Sequence, residues 1–485
     1  MANQTDFGLI GLGVMGENLV LNVESKGFSV SVYNRTTEKV DAFLSGRGKD
    51  KNITGTHSLE EFAASLKRPR KAMILVKAGR PVDAVIEQLL PHLEPGDIII
   101  DGGNSRWPDS TRRRHALKDK GILFVGTGVS GGEEGALHGP SLMPGGEPEA
   151  WPHIKPIFQA IAARVNEEEV ACDWVGADGA GHFVKMVHNG IEYGDIQIIC
   201  EGYQLMRDLL GMTPEQAAET FAQWNRGDLD SYLIEITSDI LRKKDEETGK
   251  PVVDLILDVA GQKGTGRWTV EDGLHLGQPV TLIAEAVFAR ALSSFKELRE
   301  RGAANLRFES TSPVPAARDF LPALEGALLA SKIVSYAQGF GMIEAASREY
   351  EWQLDKGSIA MMWRAGCIIR SVFLGHIKEA YDADADLPSL LLAPWFRERL
   401  LAAQPGWRLV VSTAAAHGVP VPALSSALAY FDGFRSGRLP ANLLQAMRDY
   451  FGAHTYERVD KPRGEFFHTN WTGQGGSTTA STYNA

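Results

Sequence analysis

Four polar side chains at helical spacing carry the most chemistry in this sequence. The segment Gly181-His182-Phe183-Val184-Lys185-Met186-Val187-His188-Asn189-Gly190-Ile191-Glu192-Tyr193 reads as a helix, with Lys185, His188, Asn189 and Glu192 at i, i+3, i+4 and i+7 on one face. A lysine kept out of water can lose its proton near neutral pH and act as a base. A carboxylic acid two turns later can supply a proton elsewhere on the same substrate. Such a stripe can also serve solubility alone; the histidine, the asparagine and the neighbouring glycines favour a cleft.

Several other segments suit anions. Gly126-Thr127-Gly128-Val129-Ser130-Gly131-Gly132 offers backbone N–H groups and the Ser130 hydroxyl to a carboxylate. The turn Ala260-Gly261-Gln262-Lys263-Gly264-Thr265-Gly266 carries a lysine and reads as a phosphate or anion site, or equally as a plain surface turn. Arg290, Arg448 and His454 are further candidates, although residues of this kind are individually more often salt-bridge partners than ligands.

A redox partner for this chemistry is written near the N-terminus. Gly11-Leu12-Gly13-Val14-Met15-Gly16 follows a strand-like run and precedes a helical pattern, the context in which a GxGxxG motif places a pyrophosphate on a helix N-terminus. The second strand ends in Asn34-Arg35-Thr36, with no acid to hold a ribose 2′-hydroxyl. Arg35, aided by Asn34 and Thr36, would instead bind a 2′-phosphate, so NADP is favoured over NAD. Val76-Lys77-Ala78-Gly79 and Asp101-Gly102-Gly103-Asn104-Ser105 end two further strands, where open α/β sheets bind ligands, and Asn104 offers an amide to cofactor or substrate.

These residues require a scaffold, and the periodicity supplies one. Apolar runs at 7–10, 29–33, 72–76, 98–100 and 122–125 alternate with helical patterns, predicting a mostly parallel sheet covered by helices on both faces. After residue 178 the pattern becomes long and helical to about residue 430. The fold class is therefore an α/β dinucleotide-binding, Rossmann-like domain (1–178), a large all-α domain (179–438) and a C-terminal tail (439–485). Gly, Thr and Ser dominate the tail after Pro462; it reads either as solvated chain or, through Phe466, Phe467 and Trp471, as a segment that docks on a second subunit. Residues 184–194 also align with 331–341 at an offset of 147; by duplication or by chance, Lys332 stands where Lys185 stands and Gly339 where Glu192 stands.

The bulk properties narrow the class. A chain of 485 residues, 44% hydrophobic and 23% charged, is a multidomain globular protein, and no stretch approaches the apolar length of a membrane helix. The polar Met1–Asp6 segment predicts no secretory signal. Cys172, Cys200 and Cys367 lack metal-ligand spacing and suit a reducing cytoplasm, and a formal charge of −11 argues against nucleic-acid partners.

The motifs GLGVMGENL (11–19), NRT (34–36), VKAG (76–79), DGGNS (101–105), GVSGGEEGA (128–136), KMVHNGIEYGD (185–195), GQKGTG (261–266) and RDYFGAHTYER (448–458) together resemble the decarboxylating 6-phosphogluconate dehydrogenase family across essentially the whole chain. The resemblance implies that Lys185 is the general base and Glu192 the acid that protonates the enediol. It implies that Ser130, Gly131, Gly132, His188 and Asn189 hold the carboxylate and hydroxyl end of 6-phosphogluconate, with Asn104 near both ligands. Tyr193, Lys263, Arg290 and Arg448 match the phosphate-end residues, and His454 a substrate-binding histidine. The resemblance also implies a homodimer in which the C-terminal segment completes the partner's site, and no metal. Two departures are visible: Gly13 stands where many members have Ala, and Arg267 where many have Lys. Rival readings are another β-hydroxyacid dehydrogenase and a noncatalytic NADP-binding sensor.

Overall fold

The computed structural model describes residues 4–167, 169–475 and 478–480. The chain forms two compact units, Met1–Ala427 and Leu428–Ala485.

The first unit begins with an eight-stranded sheet: β1 (Phe7–Ile10), β2 (Val30–Tyr33), β3 (Ile53–Thr56), β4 (Lys71–Ile74), β5 (Ile98–Asp101), β6 (Leu123–Ser130), β7 (Ser141–Gly146) and β8 (Gly176–Ala177). Their order is β3-β2-β1-β4-β5-β6-β7-β8. β1 to β6 pair in parallel, β7 is antiparallel to β6, and β8 is parallel to β7. The connecting helices are α1 (Val14–Ser25), α2 (Glu38–Ser45), α3 (Leu59–Ala64), α4 (Arg80–Leu89), α5 (Trp107–Lys118), α6 (Gly132–His138) and α7 (Trp151–Ile161).

β5 shows why the central strands are apolar at every position. Ile98 and Ile100 join a core with Phe7, Leu9 and Val30 on one face, while Ile99 joins Ile10, Phe62 and Ile86 on the other. Both faces are covered, so alternation disappears. Between β1 and β4 the strand order reverses, and the crevice at their carboxyl ends is the expected place for a dinucleotide.

β3, β7 and β8 lie outside the apolar runs read from the sequence. β3 is a half-exposed edge strand, Ile-Thr-Gly-Thr, which needs no apolar run. β7, Ser-Leu-Met-Pro-Gly-Gly, has little side chain to offer because a helix rests on its backbone: a β-carbon at Gly145 would stand 2.6 Å from the Gly181 nitrogen.

That helix, α8 (Ala180–Gln204), opens the helical part and is buried over most of its length. It is followed by α9 (Pro214–Trp224), α10 (Tyr232–Arg242), α11 (Thr265–His275), α12 (Thr281–Ser293), α13 (Lys296–Asn305) and α14 (Ala317–Glu349). Then come α15 (Lys356–Arg364), α16 (Phe373–Ala383), α17 (Pro394–His417) and α18 (Pro422–Phe434). α8 packs against β6, β7, α11, α12 and α14.

α14 has 33 residues and is long and apolar enough to span a membrane by length and composition, contrary to the reading that no stretch approaches this. Its most apolar window is 67% buried within the protein, as in a core helix, and the same helix buries Lys332, Ser335 and Gln338. Its hydropathy reflects burial among other helices.

The second unit carries α19 (Ala441–Gly452) and an antiparallel pair, β9 (Tyr456–Glu457) and β10 (Phe466–Phe467). Asp449, fully buried, organises it. Its carboxylate accepts from the Thr455 and Thr469 N–H groups, His468 Nδ1 and Trp471 Nε1, at 2.9–3.0 Å. The tail is thus folded around one carboxylate as far as Trp471.

Candidate active site

Two cavities meet the expectations drawn from the motifs. The first, about 630 Å³, lies at the ends of β1, β2 and β4 and is lined by Gly11, Asn34, Arg35, Thr36, Val76 and Lys77 among others. Gly11 adopts a φ of +111°, which glycine alone accepts readily, and so turns the chain from β1 into α1. A β-carbon at Gly13 would meet nothing within 4 Å, leaving the backbone open to a phosphate group. Gly16 packs against the Gly11 carbonyl, Leu12 is buried, and Val14 and Met15 start α1. Ala78 continues the loop after β4.

The structure revises the part played by Asn34. Its side-chain oxygen accepts from the Leu12 N–H at 3.1 Å and its amide donates to the Thr36 carbonyl at 2.9 Å, so it braces the glycine loop as well as facing the cavity. Lys39 and Arg80 also line this cavity and were absent from the sequence reading. Lys39 was legible in principle, being four residues beyond Arg35; Arg80 was not, because its loop follows a different strand. Four cations and no acid among the described lining residues suit a 2′-phosphate.

The second cavity, about 650 Å³, draws on seven parts of the chain. Met15 and Asn104 come from the dinucleotide side, Ser130, Gly131 and Gly132 from the end of β6, and Lys185, Asn189, Glu192 and Tyr193 from α8. Lys263 and Thr265 enter at the start of α11, Arg290 from α12, and Ile368 from the loop between α15 and α16. Arg290 stacks on the Tyr193 ring at 3.5 Å, and with Lys263 and the α11 N-terminus makes one end of the cavity cationic.

Close backbone contact aims α8. A β-carbon at Gly181 would overlap the carbonyl oxygens of Gly126 and Met143, and one at Gly128 would overlap the Lys185 side chain. The helix therefore sits directly on the sheet, with Lys185 lining the same cavity as Met15 and Asn104.

Lys185 is 6% exposed. Burial brings its pKa down from 10.5 to about 8, with the charges of Glu192 and Cys367 pushing the other way. Glu192 is shifted upward by burial, countered by Lys185 and Arg290 and reinforced by Asp195. Burial thus shifts both groups toward their uncharged forms in one cavity.

His188 sits behind this surface, fully buried, and does not line the cavity. Its Nδ1 is 3.0 Å from Asn189 Oδ1 and 3.3 Å from Lys185 Nζ, and its Nε2 is 3.3 Å from Ser130 Oγ. Because the amide oxygen only accepts, the ring proton belongs on Nδ1 and Nε2 accepts from Ser130. Burial holds the imidazole neutral. His188 thus braces Ser130, Lys185 and Asn189.

Cys367 was not predicted near the base. Its thiol donates to the Trp363 carbonyl at 2.8 Å, and burial raises its pKa to about 12. No local spacing could reveal a neighbour 182 residues away in sequence. Arg448 and His454 belong to the second unit: Arg448, on α19, donates to Gln445 Oε1 at 3.1 Å, and His454 stands edge-on to Phe451.

A doubly wound sheet with a glycine turn at its switch point, beside a cavity holding a buried lysine and a carboxylic acid whose pKa is raised by burial, defines a pyridine-nucleotide-dependent dehydrogenase of hydroxy acids. Comparison narrows this. Residues 6–176 match the model of the NAD binding domain of 6-phosphogluconate dehydrogenase, and residues 181–471 that of the 6-phosphogluconate dehydrogenase C-terminal domain. The decarboxylating 6-phosphogluconate dehydrogenase of Dictyostelium discoideum is 59% identical over 99% of this chain and 98% of its own. That of Haemophilus influenzae is 58% identical over the full length of both. A 6-phosphogluconate dehydrogenase structure from Plasmodium falciparum, described apo, with NADP⁺ and with 6-phosphogluconate, superposes with a TM-score of 0.93 at 44% identity, covering 96% of this chain and all of that one. The chain belongs to the decarboxylating 6-phosphogluconate dehydrogenase family.

Proposed function

We propose that the chain oxidises and decarboxylates 6-phosphogluconate to ribulose 5-phosphate and CO₂ while reducing NADP⁺ to NADPH. One observation carries this reading: Lys185 and Glu192 open into a single cavity with Asn104 from the dinucleotide-binding sheet. The first cavity fits NADP, with the open backbone at Gly13 and the cluster Arg35, Lys39, Lys77 and Arg80.

When bound, NADP⁺ accepts the hydride from C3 of the substrate. Lys185, uncharged, takes the proton of the C3 hydroxyl as that hydride leaves. The product is a β-keto acid whose ketone accepts the electron pair of the C1–C2 bond when CO₂ departs. Lys185, now protonated, stabilises the developing enolate oxygen and returns its proton there. Glu192 then protonates the carbon that becomes C1 of ribulose 5-phosphate, while Lys185 takes back the enol hydroxyl proton and the C2 ketone forms.

Ser130, Gly131, Gly132 and Asn189 are assigned to the carboxylate and hydroxyl end, with His188 bracing Ser130 and Asn189 from behind instead of touching substrate, and Tyr193, Lys263 and Arg290 to the phosphate. Arg448 and His454 are assigned to the site of a partner copy in a homodimer. Support for a second copy comes from the exposed apolar side chains of α12 and α13, including Phe288, Leu292, Phe295 and Leu298, each more than half exposed. The free cysteines support a reducing, cytoplasmic setting.

The test follows NADPH absorbance and CO₂ release from 6-phosphogluconate. Lys185→Met should lose turnover while NADP binding persists, because the lysine acts on substrate and not on the pyrophosphate. Turnover at the wild-type rate in that variant refutes the assignment.

A further inference from the structure

The polar stripe on α8 does not end at Glu192. Asp195 follows three residues later, 1% exposed, and meets a lysine from another helix. Lys332 Nζ, itself buried on α14, donates to Asp195 Oδ2 at 2.5 Å. Tyr336, one turn further along α14 and wholly buried, holds its hydroxyl 3.4 Å from the same oxygen and 3.3 Å from the carbonyl oxygen of Ile369. The Lys332 ammonium also lies over the rings of Tyr336 and Phe373, at 5.0 and 5.7 Å.

Ile369 belongs to the segment that walls the reaction cavity. Its neighbour Ile368 lines that cavity with Lys185 and Glu192, and Cys367 lies within the electrostatic reach of Lys185. A continuous set of contacts therefore runs from the Glu192 end of α8, through Asp195, to Lys332 and Tyr336 on α14, and on to the opposite wall. The aligned lysines at 185 and 332 have opposite surroundings: among the described residues Lys185 has no carboxylate in salt-bridge contact, whereas Lys332 is paired directly with one.

A buried ion pair adds little stability over well-packed apolar residues, while a broken one leaves an uncompensated charge. Its directional contacts do specify one arrangement of the elements it joins. Position along the helix then decides which step is affected. Asp195 is about 4.5 Å along the α8 axis from Glu192 and about 15 Å from Lys185. Lys185 is held by separate contacts, to β6 at Gly128 and to His188. Other titratable groups facing Glu192 are Lys185 and the neutral His188 on its own helix, Arg290 from α12, and Cys367 from the loop after α15.

We propose that Lys332 and Tyr336 are positioning residues for the proton transfer at Glu192: the ion pair to Asp195 and the hydroxyl between Asp195 and Ile369 hold the Glu192 end of α8 at a set distance from the Ile368 wall. The inference rests on the reading of Glu192 as the acid that protonates the enediol.

That transfer can be isolated. In reverse, Glu192 takes a proton from C1 of ribulose 5-phosphate, the C–H electron pair forms the enediol double bond, and the ketone oxygen gains a proton from Lys185. Return of a solvent-derived deuteron to C1 completes one exchange with no net oxidation or reduction. The experiment measures this exchange by NMR with ribulose 5-phosphate and NADPH in CO₂-free D₂O. In parallel, single-turnover NADPH formation from 6-phosphogluconate is measured for wild type, Tyr336→Phe, Lys332→Met and Glu192→Gln.

Tyr336→Phe keeps the ring packing and should fold; the loss of its hydroxyl should slow exchange about fivefold while NADPH formation stays within about twofold. Lys332→Met should slow exchange further, again more than oxidation. A simple structural role lowers both rates together, since it changes only the amount of intact enzyme. Equal loss of both rates in Tyr336→Phe, or no loss in either, overturns the proposal even if Lys332→Met does not fold. Wild-type exchange in Glu192→Gln removes the acid assignment itself, and the inference with it; slowed exchange in Glu192→Gln alone removes only the inference.

Discussion

Gly128→Ala tests whether the packing of α8 on the sheet, and not the helix sequence alone, places Lys185, the proposed base. An added β-carbon would overlap the Lys185 Cβ, stand 2.9 Å from its Cγ and 3.3 Å from the Gly181 carbonyl, where ordinary contact begins at 3.4 Å. Cβ cannot rotate away from its own backbone. α8 cannot tilt inward elsewhere, because Gly181 already rests on the carbonyls of Gly126 and Met143. The lysine must therefore move outward by about half an ångström at least, more once the Cβ overlap is relieved. Overpacking of this kind costs about 1–3 kcal/mol of stability. A misplacement approaching 1 Å costs about a hundredfold in rate, so single-turnover NADPH formation should fall about 10- to 100-fold. The assay pairs that rate with NADP affinity from protein fluorescence and a thermal melt by circular dichroism. Gly437→Ala is the control: its β-carbon meets nothing within 4 Å and it lines neither cavity, so its rate and NADP affinity should stay within about threefold of wild type, at the small end of single-residue effects. A Gly128→Ala enzyme with wild-type rate and melting temperature would show that this contact does not set the lysine's position.

Three further outcomes follow from the same geometry. Oxidation requires Lys185 uncharged, so the single-turnover rate should rise with pH and level off above about 8; a midpoint near 10.5 would mean an ordinary, hydrated lysine. Arg35→Ala should raise the KM for NADP by about 10- to 100-fold through loss of charge-assisted hydrogen bonds, with less effect on NAD, and Arg80→Ala should act in the same direction; equal effects on both cofactors would place these residues outside the 2′-phosphate site. Glu201, buried on α8, accepts the Ala423 and Leu424 N–H groups at 2.9 Å, and burial raises its pKa from 4.5 to about 7. A raised folded-state value gives stability that is complete below 4.5 and lost as pH climbs through 7, so the melting temperature should fall over that window in wild type and less in Glu201→Gln; parallel curves would contradict this.

Much of this protein is legible from local pattern. The glycine turn at 11–16, the basic end of the second strand at Arg35, and the stripe of Lys185, His188, Asn189 and Glu192 are each set by spacing within a few residues, because backbone geometry repeats every 2 or 3.6 residues. The central strands announce themselves because both of their faces are buried. β3 and β7 do not: one is a half-exposed edge, and the other contributes backbone rather than side chains to its contact with α8.

What periodicity cannot carry is which distant residues meet. The sequence marks His188 as one of four polar groups on a face, but only packing turns it behind the cavity to brace Ser130. Arg80 joins Arg35 because β4 lies beside β1 in the sheet, and Cys367 approaches Lys185 because the loop after α15 closes on α8. Lys332 finds Asp195 across 137 residues because α14 packs against α8. The chain alone thus determines the chemical groups and the faces that bear them. The tertiary structure decides which are desolvated and which are neutralised, and so which lysine suits a base and which an anchor, since burial and charge pairing depend on neighbours that no local pattern encodes.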